Sequence, residues 1–250
     1  MLVMGILNVT PDSFADGGRH NDFEAAIARG LEMIAEGVDI IDIGGESTRP
    51  GADRVSEEEE ISRTISVIAE LAKHGTPISI DTMRASTAHA AVKAGASIIN
   101  DVSGGLADPE MLQTAAELKV PYIAMHWRGQ SKDMNSKAIY ADVVSDVISE
   151  LNERIEAALA AGIHKDKLII DPGLGFAKDA EHNWAIIDSI DRFVAMGYPV
   201  LVGGSRKRFL GGESPDEREQ ATIQLTKRLG ATGVWAVRVH SVKPHKEVLG

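Results

Sequence analysis

Polar side chains end the short apolar runs of this sequence, and these positions could carry chemistry. A carboxylate at the end of a buried strand is costly unless a partner pairs with it. In chain order the positions are Asn8, Asp42, Asp81, Asn100, Asp101, His126, Asp171, Ser205, Arg238 and His240. Asp171 opens the segment Asp171-Pro-Gly-Leu-Gly-Phe176, whose proline ends the strand and whose glycines permit a tight turn or a close approach to a ligand. Alone, that segment could equally be a loop whose aspartate caps its own turn.

Three of these strand ends form a set suited to one kind of ligand. Asp81, Asn100 and Asp171 are short acceptor-bearing side chains on separate predicted strands, and Lys207 follows another strand. Carboxylates hold paired N–H donors through both oxygens. The set therefore suits a planar heterocycle with adjacent N–H groups on one edge and a carbonyl on the next. Any one of these residues could instead cap a loop, but that explanation fits all three together less well.

Cations cluster after the last two predicted strands. Ser205-Arg-Lys-Arg208 follows strand seven, and Arg238 and His240 end strand eight. The loops after strands seven and eight of a (β/α)8 barrel commonly bind phosphate. Arg238 is expected to point inward and therefore to need an anion. A solvated basic face is the expectation for Arg206 and an alternative for Arg208.

The same residues indicate which metal sites and which covalent mechanisms are compatible with the sequence. The eight histidines are scattered, which disfavours a zinc centre. Mg²⁺ held mainly by substrate phosphates needs only one or two protein oxygens and stays open. Lys207 could also form a Schiff base with a carbonyl substrate, as in barrel aldolases, and that alternative stays open here.

The elements that must position these residues alternate regularly along the chain. Predicted strands begin near residues 2, 38, 77, 97, 121, 167, 199 and 234, and an amphipathic helix follows each. Eight such units favour an α/β fold, a single (β/α)8 TIM barrel forming one domain over residues 1–250, with all strand ends at one rim. An open doubly wound sheet is the alternative. The last helix is shortened to two turns at most, and we expect it to leave strands eight and one poorly covered.

Two long strand-end loops lie near the start of the chain. Residues 9–20 and 44–55 are rich in Gly, Pro, Ser and Thr, and the second loop carries Arg49. They could close over a second substrate. Their composition is equally compatible with ordinary exposed loops.

Composition narrows the classes of partner. The net charge of −11 disfavours nucleic acid and anionic membranes, though not a small anion in a locally basic pocket. The sequence has no cysteine, which excludes disulfides, thiolate metal sites and a cysteine nucleophile. No segment reaches membrane-spanning length, and the first residues lack the features of a signal peptide. A cytoplasmic location is therefore expected.

Eight segments at the predicted strand ends together resemble the motifs of the dihydropteroate synthase family. They are Asn8-Val-Thr-Pro-Asp-Ser-Phe14, Gly45-Glu-Ser-Thr-Arg-Pro-Gly51, Ser79-Ile-Asp-Thr82, Ile99-Asn-Asp-Val102, Met125-His126, Asp171-Pro-Gly-Leu-Gly-Phe176, Ser205-Arg-Lys207 and Arg238-Val-His240. The resemblance implies a pterin-binding transferase of folate biosynthesis. It would join p-aminobenzoate to 6-hydroxymethyl-7,8-dihydropterin pyrophosphate by a dissociative substitution, releasing pyrophosphate. Mg²⁺ as cofactor, sulfonamide binding and a possible homodimer are implied with it.

The resemblance also implies roles for individual residues. The pterin pocket would comprise Asp81, Asn100, Met125, Asp171, Phe176, Gly203 and Lys207. Pyrophosphate would be held by Asn8, Arg238 and His240, with Asn8 also binding the metal. The p-aminobenzoate site would comprise Thr48, Arg49, Pro50, Phe176 and Arg208, closed by a loop carrying Asp12, Phe14 and Asp16. The implied catalytic residues are Asp81, Asn100, Asp171, Lys207 and Arg238.

The sequence departs from the family pattern at a few positions, and other functions stay open. Ala15 and Arg208 stand where serine is common, and Ser241 stands where aspartate is usual. A pterin-dependent methyltransferase is one rival, but it would not need the Ser205-Arg-Lys207 segment. A Schiff-base aldolase and a catalytically silent pterin-binding homologue are the others.

Overall fold

Eight parallel strands form a ring at the centre of the molecule. The computed structural model describes residues 1–10, 18–47, 55–130 and 134–250. The strands are β1 (Leu2–Asn8), β2 (Ile40–Gly44), β3 (Ile78–Asp81), β4 (Ile98–Asp101), β5 (Tyr122–Met125), β6 (Leu168–Asp171), β7 (Leu201–Val202) and β8 (Ala236–Val239). Their hydrogen-bonded order is β6-β5-β4-β3-β2-β1-β8-β7. A parallel bridge between Ile170 and Val200 joins β6 to β7, so the predicted barrel is confirmed and the open sheet is not.

Helices cover the outside of this ring. The described α-helices are α1 (Gly18–Ala35), α2 (Glu57–Leu71), α3 (Ala85–Ala94), α4 (Met111–Leu118), α5 (Val143–Ala160), α6 (Ala180–Asp188), α7 (Ile190–Val194), α8 (Glu217–Leu229) and α9 (Lys243–Leu249). Every residue of β2 to β6 is buried, as expected for parallel strands packed between helices and a filled interior. None of the helices in the described ranges is long and apolar enough to cross a membrane.

The barrel interior is divided into an apolar floor and a polar rim. The floor is a buried cluster of Met4, Ile40, Ile98, Ile123, Ile169, Leu201 and Ala236. Side chains two residues apart on a strand point to the same face. The residues two positions further along these strands are Ile6, Asp42, Asn100, Met125, Asp171, Gly203 and Arg238. The apolar floor therefore lies beneath the polar strand ends that the sequence singles out.

The expectation that a short last helix leaves β8 and β1 poorly covered is wrong. The two-turn helix α9 is as short as predicted, but Val242 just before it is fully buried. A side chain on Gly5 of β1 would lie 3.0 Å from a methyl of Val242, so the strand and this segment are in close contact. Asp39 adds a polar link, since it accepts from the Val3 backbone N–H at 2.7 Å and from Lys246 Nζ at 3.0 Å.

The contact between α1 and α2 offers a test of the outer core. Leu71 is fully buried and packs against Gly30. The Cβ of any other residue at position 30 would lie 2.5 Å from a Leu71 methyl group, so the glycine leaves room for this leucine. We expect Leu71→Ala to lower the free energy of unfolding by about 2–5 kcal/mol, because it leaves a cavity in a close-packed layer. Leu31→Ala, at a partly exposed position on α1, is the matched control and should change it by less than about 1 kcal/mol. Urea denaturation followed by circular dichroism would measure both, and equal losses would contradict this packing.

Candidate active site

Strand register brings polar side chains of neighbouring strands beside one another at the rim. Asn8 pairs with Gly44 across β1 and β2, Gly44 with Asp81 across β2 and β3, and Asp81 with Asn100 across β3 and β4. Further round the ring, Met125 pairs with Asp171. The sequence-predicted residues of these five strands, β1 and β3 to β6, therefore face a common space, and the small Gly44 on β2 leaves room beside Asp81.

Arg238 connects two buried carboxylates in this space. Its Nε donates to Asp42 Oδ2 at 2.6 Å, and its Nη2 donates to Asp81 Oδ2 at 2.7 Å. Asn100 Nδ2 donates to the same Asp42 oxygen at 3.1 Å. The anion that an inward Arg238 was expected to need is thus supplied at least partly by the protein itself. Because Asn100 uses its N–H group on Asp42, its carbonyl oxygen is oriented as an acceptor.

Burial shifts the proton equilibrium of Asp81. Desolvation raises the pKa of Asp81 to about 7, Arg238 opposes the shift, and the nearby carboxylates of Asp42, Glu60 and Asp101 add to it. The pKa of Arg238 is raised despite its burial, because Asp42 and Asp81 favour the guanidinium. The rim therefore holds a permanent cation beside a carboxyl group that changes charge near neutral pH.

The loop after β6 is built around two left-handed glycines. Gly173 has φ +69°, and a side chain there would lie 2.4 Å from the carbonyl oxygen of His126. Gly175 has φ +75°, and a side chain there would lie 2.7 Å from Lys207 Cδ. The Gly173 N–H donates to Asp171 Oδ1 at 2.7 Å. The tight turn predicted for these glycines is therefore confirmed, and the close backbone approach seen here is to His126 and Lys207.

Lys207 follows β7, contacts this loop and lies near Asp171. Its Nζ donates to the carbonyl oxygen of Leu174 and lies 4.5 Å from the ring centroid of Phe176. Burial lowers the pKa of Lys207 to about 8, with Asp171 opposing the shift and Arg238 adding to it. Burial likewise raises the pKa of Asp171, while the Gly173 N–H, Lys207, Lys178 and Arg238 oppose that change. The Lys207 side chain, a hydrogen-bond donor, and the Asp171 carboxylate, an acceptor, therefore lie close together.

An apolar wall borders the polar groups. Met83, Val102 and Met125 form a buried cluster at this end of the barrel, with Phe176 packed against it. Methionine adapts to flat ring systems, and an aromatic face packs against them well. A planar polar molecule could therefore lie against this wall with its edge toward Asp171, Asn100 and Lys207.

The remaining predicted residues divide into three groups. Asn8 and Gly203 lie at the rim, and His240 Nδ1 is hydrogen-bonded to Ser205 Oγ at 3.0 Å. Arg208 is exposed, on a short 3-10 turn after Lys207. The remaining predictions, which lie outside the described residues, concern Asp12, Phe14, Asp16, Thr48, Arg49 and Pro50. Arg206 is not the solvated cation expected, because it is half-buried, donating to Glu219 at 2.5 Å and to Ser241 Oγ at 2.8 Å.

Several groups of the site were not assigned a role from the sequence. Asp42 was among the polar strand ends that the sequence singled out, but no site role and no pairing with Arg238 was predicted for it. Met83 and Val102 follow strand ends by one or two residues but carry no polar group to mark them. Lys178 lies two residues after Phe176, and a lone lysine in a loop gives no sequence signal of burial.

Removing Arg238 tests the charge network. We expect Arg238→Met to lower the free energy of unfolding by about 3–5 kcal/mol at pH 8, because it leaves Asp42 and Asp81 buried without their cation. Arg228→Met is the matched control, since Arg228 pairs with Asp188 at the surface and should contribute about 0–1 kcal/mol. The loss in Arg238→Met should become smaller toward pH 5, where Asp81 is protonated. Urea titrations at both pH values would measure this, and a pH-independent loss would contradict the arrangement.

Comparison with known proteins identifies related chains. The family described as "Pterin binding enzyme" matches residues 4–240. The dihydropteroate synthase of Mycobacterium leprae is 48% identical over 99% of this chain and 90% of its own length. A solved Xanthomonas albilineans dihydropteroate synthase with 4-aminobenzoic acid is 45% identical, covers 99% of this chain and 90% of its own, and superposes with a TM-score of 0.93. The same enzyme in complex with 7,8-dihydropteroate is 42% identical over the same shares and gives a TM-score of 0.90.

These matches extend over the whole barrel and include each described strand end discussed above. The family match begins in β1 and ends at His240. The chain belongs to the pterin-binding enzyme family, within its group of dihydropteroate synthases.

Proposed function

We propose that this chain catalyses the dihydropteroate synthase reaction of folate biosynthesis. The amine of p-aminobenzoate replaces pyrophosphate on the methylene carbon of 6-hydroxymethyl-7,8-dihydropterin pyrophosphate, giving 7,8-dihydropteroate. The observation that carries the proposal is the convergence of Asp81, Asn100, Asp171 and Lys207 on one rim beside Arg238. The related solved enzymes bound to 4-aminobenzoic acid and to 7,8-dihydropteroate support it.

The pterin fits the donors and acceptors of this rim. Asp171 can accept adjacent N–H groups of the pterin through its carboxylate, which the Gly173 N–H orients by donating to Oδ1. Asn100 presents its carbonyl oxygen because its amide N–H is held by Asp42. Lys207 is placed to donate to the ring carbonyl, and Met125 and Phe176 provide apolar faces for the flat ring. These assignments rest on the chemistry of the side chains.

The reaction separates charge, and the site has groups suited to both ends. In a dissociative substitution the C–O bond breaks first, and its electron pair leaves with pyrophosphate. The amine nitrogen then bonds to the pterin cation and loses a proton. Asp81 and Asp171 favour the cationic pterin, while Arg238 and His240 would hold the leaving anion. Charges fixed before the reaction lower the barrier most effectively.

Mg²⁺ fits this arrangement as a substrate-bound ion. No group of three or more histidine or carboxylate side chains that could form a metal cage occurs in the described parts of the chain. Asn8 offers an amide oxygen at the end of β1, and Mg²⁺ commonly takes one or two protein oxygens with substrate phosphates. When bound there, the ion would offset the charge of the departing pyrophosphate.

The second substrate is assigned by resemblance. Phe176 borders the pocket from the apolar side. Thr48, Arg49, Pro50 and Arg208 complete the proposed p-aminobenzoate site, with Asp12, Phe14 and Asp16 on its closing loop. We also carry forward a homodimer, a cytoplasmic location and sulfonamide binding as proposals. Sedimentation of the purified chain and sulfonamide competition against p-aminobenzoate would test the first and third.

Pyrophosphate release tests the proposed reaction. We expect release from dihydropterin pyrophosphate to require p-aminobenzoate and Mg²⁺ and to form dihydropteroate one for one. Chelation of Mg²⁺ should abolish turnover and be reversed by adding the ion back. Pterin binding without release would favour a silent homologue, and methyl transfer or borohydride trapping at Lys207 would favour the other rivals.

Asp171 tests the pterin assignment directly. Asp171→Ala removes a charge-assisted pair worth roughly 1.5–3 kcal/mol, so affinity for the dihydropterin pyrophosphate should fall about 10- to 200-fold. Asp188→Ala changes an exposed carboxylate at the surface and should leave affinity unchanged. Isothermal titration calorimetry would measure both dissociation constants. An unchanged constant for Asp171→Ala would overturn this assignment.

A further inference from the structure

Lys178 is a buried lysine behind the loop after β6, and the proposed reaction assigns it no role. The side chain of Lys178 is only 8% exposed, yet its Nζ has three acceptors at hydrogen-bonding distance. These are His126 Nδ1 at 2.8 Å, the Gly173 carbonyl oxygen at 3.1 Å and the Phe176 carbonyl oxygen at 3.0 Å. An ammonium group has three N–H donors, so this environment satisfies the charged form completely.

The partners of His126 decide where the charge lies. His126 Nε2 is 2.9 Å from Glu150 Oε2, and Arg128 donates to the same carboxylate at 3.0 Å. A carboxylate only accepts, so Nε2 carries a proton. With the imidazole neutral, Nδ1 is then an acceptor, as the Lys178 ammonium requires. Arg128 also stacks 3.8 Å over the ring of Tyr140, which fixes the outer end of this chain of contacts.

The same contacts fix the loop that carries the pterin site. Gly173 donates its N–H to Asp171 Oδ1 and accepts Lys178 through its carbonyl oxygen, so one residue joins the buried lysine to the site carboxylate. Phe176 accepts Lys178 through its carbonyl oxygen while its ring lies beneath Lys207 Nζ. Lys178 therefore touches the backbone behind both groups without being placed to touch the substrate itself.

We propose that Lys178, as an ammonium held by neutral His126, is a positioning residue that fixes the Asp171–Phe176 loop and keeps Asp171 ionised for the pterin. This inference rests on the proposed placement of the pterin against Asp171. Lys178 acts through Asp171 and Lys207, and its positive charge complements that of Lys207 on the other side of the carboxylate.

Several charged groups set the sign of the expected pH effect. Asp171 is faced by Lys178, Lys207 and Arg238, which all lower its pKa against the effect of burial. Burial lowers the pKa of Lys178 well below its usual value, Lys207 and Arg128 add to that shift, and Asp171 and Glu150 oppose it. The ammonium form is assigned from geometry, since three acceptors, including His126 Nδ1, surround Nζ. Burial and the charge of Lys178 lower the pKa of His126 to about 4, while Glu150 opposes the shift, in accord with a neutral imidazole at pH 7. Removing the ammonium should raise the pKa of Asp171, so that activity is lost at a higher pH on the acidic side.

The substitution Lys178→Met tests this role. We expect kcat/KM for dihydropterin pyrophosphate to fall roughly tenfold, mainly through KM, because the carboxylate loses a charged neighbour and the loop its three hydrogen bonds. The acidic limb of the pH profile of kcat/KM should move to higher pH. Lys165→Met is the matched control, since Lys165 lies at the opposite end of β6 and contacts the ring of Tyr198. A lysine that only stabilises the fold would lower the melting temperature and leave the acidic limb in place, which would overturn the proposal.

His126 provides a second test that does not depend on how well Lys178→Met folds. In the wild-type enzyme at pH 7, nitrogen-15 NMR should show His126 protonated on Nε2 alone, whereas protons on both ring nitrogens would overturn the charge assignment. His126→Asn keeps an oxygen near the position of Nδ1 for Lys178 and should retain the wild-type acidic limb. If the acidic limb of the His126→Asn profile moved as far as that of Lys178→Met, this result would also contradict the proposed role of Lys178. If wild-type enzyme released no pyrophosphate, the proposed function would fail, while the NMR result would still show whether His126 is neutral and accepts from Lys178 through Nδ1.

Discussion

The rest of the structure depends on how the barrel accommodates charge that is withdrawn from water. Arg238 lies inside the ring between Asp42 and Asp81, and all three are largely removed from solvent. Ionised groups in such surroundings are stable only when they are paired and hydrogen-bonded. This requirement fixes the guanidinium, and through Asp42 it also fixes the amide of Asn100. A single buried ion network therefore orients side chains from β2, β3, β4 and β8.

A second set of charges surrounds Asp171 on the other side of the barrel mouth. Lys207 and Lys178 approach this carboxylate from different directions, and each is itself disfavoured by burial. Neither network is neutral on its own. The first has two carboxyl groups, Asp42 and Asp81, and one cation, Arg238, whereas the second has one carboxylate, Asp171, and two lysines. A substrate that carries hydrogen-bond donors, an acceptor and an anionic leaving group can provide the missing partners of both networks. The site is thus preorganised for charge separation before any substrate arrives.

Much of this arrangement could be predicted from sequence because a parallel barrel obeys simple rules. Strand ends share one rim, and alternate residues face inward, so Asp81, Asn100 and Asp171 were expected to converge. The rules say nothing about which distant residues pair. Arg206 was expected in solvent because its neighbours in sequence are cations, whereas Glu219 and Ser241 lie beside it only after α8 has packed. Lys178 was missed for the same reason, since burial of a loop residue depends on contacts far along the chain.

The backbone of the loop after β6 restricts which residues this part of the sequence can carry. Gly173 and Gly175 both need left-handed φ, and each leaves no room for a side chain beside His126 and Lys207 respectively. The backbone groups of Gly173 contact Asp171 through the N–H and Lys178 through the carbonyl oxygen, while the Gly175 N–H donates to Asn183 Oδ1 at 2.6 Å. A Cβ at Gly173 would clash with the His126 carbonyl oxygen, and a Cβ at Gly175 would displace the Lys207 side chain. Local conformation and active-site electrostatics are therefore set by the same few peptide groups, and neither can change alone.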